Sequence, residues 1–167
     1  MELKLHNIHS GAIDSALAKA TQYRSLLEPE IAESICLDIL HIDESHQQAL
    51  IIYILALTDQ LNQSEKQSQI KEILKAVDKL DAEYQRLYYT GLLNERRARF
   101  LITQPMSHSF AYDYFFEALE NYKKAEKISP DDNDEAILRW NSCIRTIQKE
   151  KLKPRRDSED ILVDMES

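Results

Sequence analysis

The chain predicts an all-α fold of about seven helices, and three observations carry that expectation. Its 167 residues include only two glycines and four prolines, too little turn chemistry for a many-stranded β fold. Apolar residues recur at alternating intervals of three and four along most of the length, which is the period of a helix face. Helix-start and helix-stop patterns interrupt that rhythm often enough for long helices joined by short loops. At this length a single domain with a sizeable core is expected.

The first helix begins after Ser10-Gly11 and carries Ile13, Leu17, Ala20, Tyr23 and Leu27 as its apolar stripe. Glu28-Pro29 ends it and opens the second, because proline is tolerated in a first helical turn. The second helix shows Ala32, Cys36 and Ile39. Ser45-His46-Gln47-Gln48 fits a capping box, the serine covering a free amide and the glutamine reaching back. The third helix, with Ala49, Leu50, Tyr53, Ile54, Leu57 and Leu61 plus Ile51, Ile52 and Leu55, is apolar over most of its circumference. Such a helix is expected between neighbours. Asn62-Gln63-Ser64 matches a glycosylation acceptor, but Ser64 to Gln67 is also a capping box, and the cap is preferred. A short fourth helix follows, with Ile70, Leu74 and Val77.

The fifth helix, about Asp81 to Thr103, has two apolar stripes, one through Tyr84, Leu87, Tyr88, Gly91, Ala98 and Leu101, the other through Tyr89, Leu93 and Phe100. A mid-helix glycine costs about 1 kcal/mol relative to alanine, so Gly91 is expected in close contact with another helix. Thr103-Gln104-Pro105 stops the fifth helix, and Ser107 or Ser109 starts the sixth, which runs to Ile128. Asp132 to Glu135 is a capping pattern for a seventh, with Ala136, Trp140, Ile144 and Ile147 along one face. The helical domain is set at residues 1–152. Residues 153–167 form a tail that turns acidic after Arg156, with Ile161-Leu162-Val163 and Met165 as a candidate docking segment.

The sixth helix contains Ala118-Leu-Glu-Asn-Tyr122-Lys-Lys-Ala125-Glu-Lys-Ile128-Ser-Pro130. Two small residues let a neighbouring helix approach, an aromatic fills the gap between them, and a proline fixes the turn. This pattern resembles the second half of a tetratricopeptide repeat. Ala32, Cys36 and Ile39 repeat its offsets in the second helix, and the resemblance extends over roughly residues 12–148. It implies a right-handed stack of about three helix-turn-helix pairs plus a C-terminal capping helix. It also implies non-enzymatic protein or peptide binding through a concave groove lined by the first helix of each pair. Carried over by phase, the groove positions are Leu17, Thr21 and Arg24, then Gln48, Ile51 and Leu55. They continue with Tyr88, Leu92, Glu95 and Arg96, and with Leu138, Ser142 and Arg145 in the last helix. The principal binding candidates are Arg24, Ile51, Leu55, Tyr88, Leu92, Arg96 and Arg145. The positions of the chaperone-binding branch's clamp hold Leu17, Thr21, Ile52, Gln85 and Tyr89, so that clamp is absent.

Other chemistry has little to stand on. A phosphate-cradling loop needs clustered glycines, and Gly11 and Gly91 are far apart. His41 and His46 straddle a helix junction, and His6 and His9 lack further ligands, so neither metal nor cofactor is expected. Cys36 and Cys143 lie in helical patterns as buried thiols, without the electropositive setting of a nucleophile. Net charge −8 weighs against nucleic acid and anionic membranes, even though Arg96, Arg97 and Arg99 lie beside aromatic residues. The polar amino terminus is unlike a signal peptide, and no run of about 18 apolar residues occurs, so a cytoplasmic protein is expected. The alternative function is a structural homo-oligomer pairing through exposed apolar helices. A final expectation is that Arg24, Arg96 and Arg145 form a cationic groove floor that receives the acidic tail.

Overall fold

The computed structural model describes residues 3–61, 66–105 and 107–155. The Asn62–Ser64 acceptor, the Ser64 cap and the tail segment from Asp157 onward lie outside the described residues. Seven α-helices are present, and no strand occurs among the described residues. They are α1 (Ile13–Ser25), preceded by a 3-10 turn at Ser10–Ala12, α2 (Pro29–Ile42), α3 (Gln47–Gln60), α4 (Gln67–Asp78), α5 (Glu83–Thr103), α6 (His108–Lys127) and α7 (Glu135–Lys149). Each helix packs on the next in sequence, and α1 with α3 and α3 with α5 also touch. Short loops force consecutive helices to run back on one another, so the odd-numbered helices α1, α3 and α5 share one side.

Local chemistry explains the helix ends. α1 stops at a left-handed residue, Leu27 at φ 61°, and the next amide, Glu28 N, donates back to Tyr23 O at 2.9 Å. α7 stops in the same way, with Lys151 at φ 52° and Leu152 N donating to Ile147 O at 3.0 Å. Both are the usual left-handed terminus, filled here without glycine. Leu27 is thus 87 % exposed rather than part of the α1 stripe. Ahead of α3 the cap is His46, whose Nδ1 accepts from Ala49 N at 3.3 Å. Ser45 instead donates its own amide to Asp43 Oδ1 at 3.1 Å, which removes it from the capping position. Gln47 accepts from Asp81 N at 2.9 Å and donates to Lys79 O at 3.2 Å, fastening the start of α3 to the α4–α5 loop. Before α7 it is Asn133 that accepts from Glu135 N, at 3.0 Å.

The core forms two clusters. The first joins α1 to α4 around α3, with Cys36, Leu50, Ile54, Leu57, Ile73 and Val77 buried, and Leu93 of α5 closing it. α3 buries most of its circumference, as its composition requires, and leaves the Ile51–Leu55–Asp59 stripe half-buried. In α4 the inward stripe is Ile70, Ile73 and Val77, and Leu74 points outward at 41 % exposure, one residue off the expected phase. The second cluster joins α5, α6 and α7 through Tyr88, Phe115, Ala118, Tyr122, Ala125, Ala136 and Cys143. Trp140 packs on it partly buried, and Tyr89 touches both clusters. Leu152 is buried in the second cluster, while Arg155 pairs with Asp113 at 2.7 Å and lies over the Phe110 ring at 4.4 Å. Residues 153–155, assigned from sequence to the tail, therefore lie against α6. No helix among the described residues is long and apolar enough to cross a membrane.

Candidate functional site

The side shared by α1, α3 and α5 holds one charged cluster. Asp59, in the last turn of α3, sits where the helix dipole disfavours an acid. Two arginines offset that cost. Arg24 Nε of α1 donates to its Oδ2 at 2.8 Å, and Arg96 Nη2 of α5 approaches its Oδ1 at 3.4 Å. All three side chains are between a fifth and a quarter exposed, at 25 %, 22 % and 22 % for Arg24, Asp59 and Arg96. Two guanidinium groups against one carboxylate leave a formal charge of +1. Arg96 Nε is buried and has no hydrogen-bond partner, so this cluster retains an N–H donor in need of an acceptor. Ile51 and Leu55, also on α3, are half-buried on the same helix phase as Asp59.

The other expected site residues divide. Arg24, Ile51, Leu55 and Arg96 lie on the helices of this face. Arg145 is exposed on α7 and makes no contact with the Asp59 cluster. Tyr88 is only 8 % exposed and Leu92 has no exposed surface. Both are corrected from groove walls to core residues, Tyr88 because the Tyr122 ring of α6 packs against it. The cationic floor is corrected as well, since Asp59 lies between its two nearest arginines and removes one unit of charge.

A second polar cluster lies inside the molecule. Glu95, read from phase as groove-facing, is fully buried. Its Oε1 accepts from Arg99 Nε at 2.9 Å and from Arg139 Nη1 at 3.5 Å, and its Oε2 accepts from the Tyr122 hydroxyl at 2.7 Å. Arg99 goes on to Ser142 Oγ at 2.9 Å and Thr146 Oγ1 at 3.0 Å, tying α5 to α7. Burial, reinforced by the Glu95 charge, holds the Tyr122 hydroxyl protonated far above its ordinary range. Burial works against the Arg139 charge, but Glu95 together with the Tyr88 and Tyr122 hydroxyls outweighs it and the guanidinium is held more firmly protonated. Such a buried, fully bonded carboxylate fastens three helices and offers no surface to a partner.

Asp59 and Glu95 were both within reach of the sequence. Asp59 continues the spacing Gln48, Ile51, Leu55, and Glu95 falls between Leu92 and Ala98 on the buried stripe. Neither cysteine is poised to react. Burial pushes the Cys36 thiol up to about 12 and raises that of Cys143 further. Among the described residues no group of three His, Cys, Asp or Glu side chains is placed to hold a metal ion. Comparison with family models, curated proteins and solved structures finds no match.

Proposed function

We propose that the chain is a non-enzymatic helical-repeat scaffold of the tetratricopeptide kind. Its odd-numbered helix face binds an acidic segment of another protein. The observation that carries this reading is the Arg24–Asp59–Arg96 cluster, with its excess positive charge on partly exposed guanidinium groups. A carboxylate from a partner would pair with the exposed guanidinium edges of Arg24 and Arg96, and Ile51 and Leu55 beside them suit a neighbouring aliphatic side chain. The contacts of α1 with α3 and of α3 with α5 support a stack of helix pairs. We also propose a cytoplasmic location, supported by two free, buried thiols. The competing reading, self-association, would use apolar side chains such as Leu138, which is 66 % exposed on α7.

The test is a low-salt titration with a fluorescent peptide carrying the sequence of residues 157–167, which combines carboxylates with Ile161, Leu162 and Val163. Binding should weaken with salt and fall about tenfold in Arg96→Gln, the loss of one charge-assisted contact. Equal affinity of the two proteins would remove the face from consideration. Light scattering on the free protein settles the competing reading, since a monomer excludes it.

A further inference from the structure

α2 and α4 each pack on α3 and not extensively on one another, leaving a trough between them. Two cavities of about 380 and 370 Å³ lie along it, and both are lined by Tyr53 and Glu72, so they form one continuous depression. The α2 wall is built on helical spacing. Glu30, Glu33, Leu37 and Leu40 fall along one stripe, Glu72 faces them from α4, and Glu44 and Lys79 lie just beyond the ends of the two helices. The floor is Tyr53 and Leu57, both from the buried helix α3.

Its two ends differ in chemistry. One carries Glu30 and Glu33 against a single lysine, Lys66, with Glu72, paired to Lys75, at the boundary of the two ends. Glu33 is steadied there by Gln60 Nε2 at 2.7 Å. At the other end the charges are paired off, Lys79 with Glu44 at 3.3 Å and Lys75 with Glu72 at 2.9 Å. The lining there is apolar, with Leu37 48 % exposed above Leu40 and Leu50. Burial first, then the Glu33 and Glu72 carboxylates, holds the Tyr53 phenol protonated above its ordinary range. The negative potential therefore reaches the floor.

We infer that this trough is a second docking surface, for a cationic segment of another protein that carries aliphatic side chains one to two helical turns from its lysine or arginine. The spacing follows from α2 itself. Glu33 and Leu40 are two turns apart, roughly 10 Å at the rise of an α-helix. A cation seated between Glu30 and Glu33 places an aliphatic group two turns along over Leu37 and Leu40. The inference does not depend on the odd-helix face, because it uses α2 and α4 and the opposite sign of charge.

The experiment uses the full chain and a labelled helical peptide of about 15 residues with lysines toward one end and leucines one to two turns on. A second peptide has glutamate in place of each lysine. Three proteins are titrated by fluorescence anisotropy at low salt: the unchanged chain, Glu30→Gln with Glu33→Gln, and Asp131→Asn with Asp134→Asn. The last pair removes the same charge from the exposed loop before α7. The lysine peptide should bind the unchanged chain and the loop variant alike, and the trough variant about tenfold more weakly. The glutamate peptide should not gain or lose affinity through the trough substitutions, since any binding to the arginine face of α1, α3 and α5 is the same in all three proteins. Equal weakening in both variants would reduce the effect to net charge and overturn the proposal. So would equal affinity of all three proteins, or a dimer that the trough substitutions dissociate, because a second copy would then be the occupant.

Discussion

A Cβ built on Gly91 would stand 2.8 Å from Cε1 of Tyr122 and 3.0 Å from its Cδ1. The ring cannot move away cheaply, since it is fully buried and its hydroxyl is bound to Glu95 at 2.7 Å. Gly91→Ala should therefore destabilise the protein by about 1–2 kcal/mol. The clash between α5 and α6 outweighs the gain of about 1 kcal/mol in helix propensity, and urea unfolding checks the sign. Stabilisation would mean that the two helices separate easily. The cysteines make a second residue-scale test. The folded chain keeps the Cys36 proton to about 12, whereas the free thiol loses it near 9.0. Between those values the unfolded state binds fewer protons, so stability falls as pH rises, by about 1 kcal/mol per unit for this group. Below pH 9 this contribution is fully present. Urea midpoints from pH 8 to 11 should decline less steeply in Cys36→Ala, and an identical decline would remove the thiol as a cause.

At the scale of the element, α6 holds its neighbours through Ala118, Tyr122 and Ala125, all without exposed surface. Ala118→Leu or Ala125→Leu should each destabilise by about 1–3 kcal/mol through overpacking, and neutrality of both in urea melts would contradict close packing there. The end of α1 should respond in the opposite direction. Leu27 sits at φ 61° and is 87 % exposed, so Leu27→Gly should stabilise by about 1 kcal/mol, the cost of the left-handed conformation to a side chain. Most of this level was legible in the sequence. Periodicity located all seven helices, and the small–aromatic–small pattern marked the buried face of α6 because close packing demands small side chains there. Cap chemistry was not legible to the residue. Ser45, His46, Asn133 and Asp132 all have side chains able to accept a backbone hydrogen bond, and only the path of the loop decides which one does.

The binding face was legible only in part, for a reason that belongs to the whole molecule. Phase tells which residues share a side of one helix, but not how far the next helix covers that side. Tyr88 and Leu92 share the groove phase with Arg96, yet both are buried, Tyr88 against Tyr122 of α6, while Arg96 stays partly exposed beside Asp59. The position of Asp59 on this face follows from its spacing after Leu55, but its role, one carboxylate shared by arginines from two other helices, exists only after the helices assemble.

The same assembly divides the core in two, one cluster around α3 and the other around the α5–α6 pair, with Tyr89 touching both. Glu95 lies in the second part and is bonded from α5, α6 and α7 at once. Glu95→Ala would leave Arg99 and Arg139 facing each other without the carboxylate, and the Tyr122 hydroxyl without its acceptor. Removing one partner from such a buried ionic cluster costs about 3–5 kcal/mol. In a chain whose helices pack mainly on their neighbours, that loss should stay local. Native-state hydrogen exchange of Glu95→Ala should accelerate along α6 and α7, while amides in α2 and α3 keep the rates of the unchanged chain. Leu93 and Tyr89 make α5 the boundary, since both reach into the first cluster. Equal acceleration in α2, α3, α6 and α7 would show instead that the two clusters open as one unit, and that α5 couples them rather than separating them.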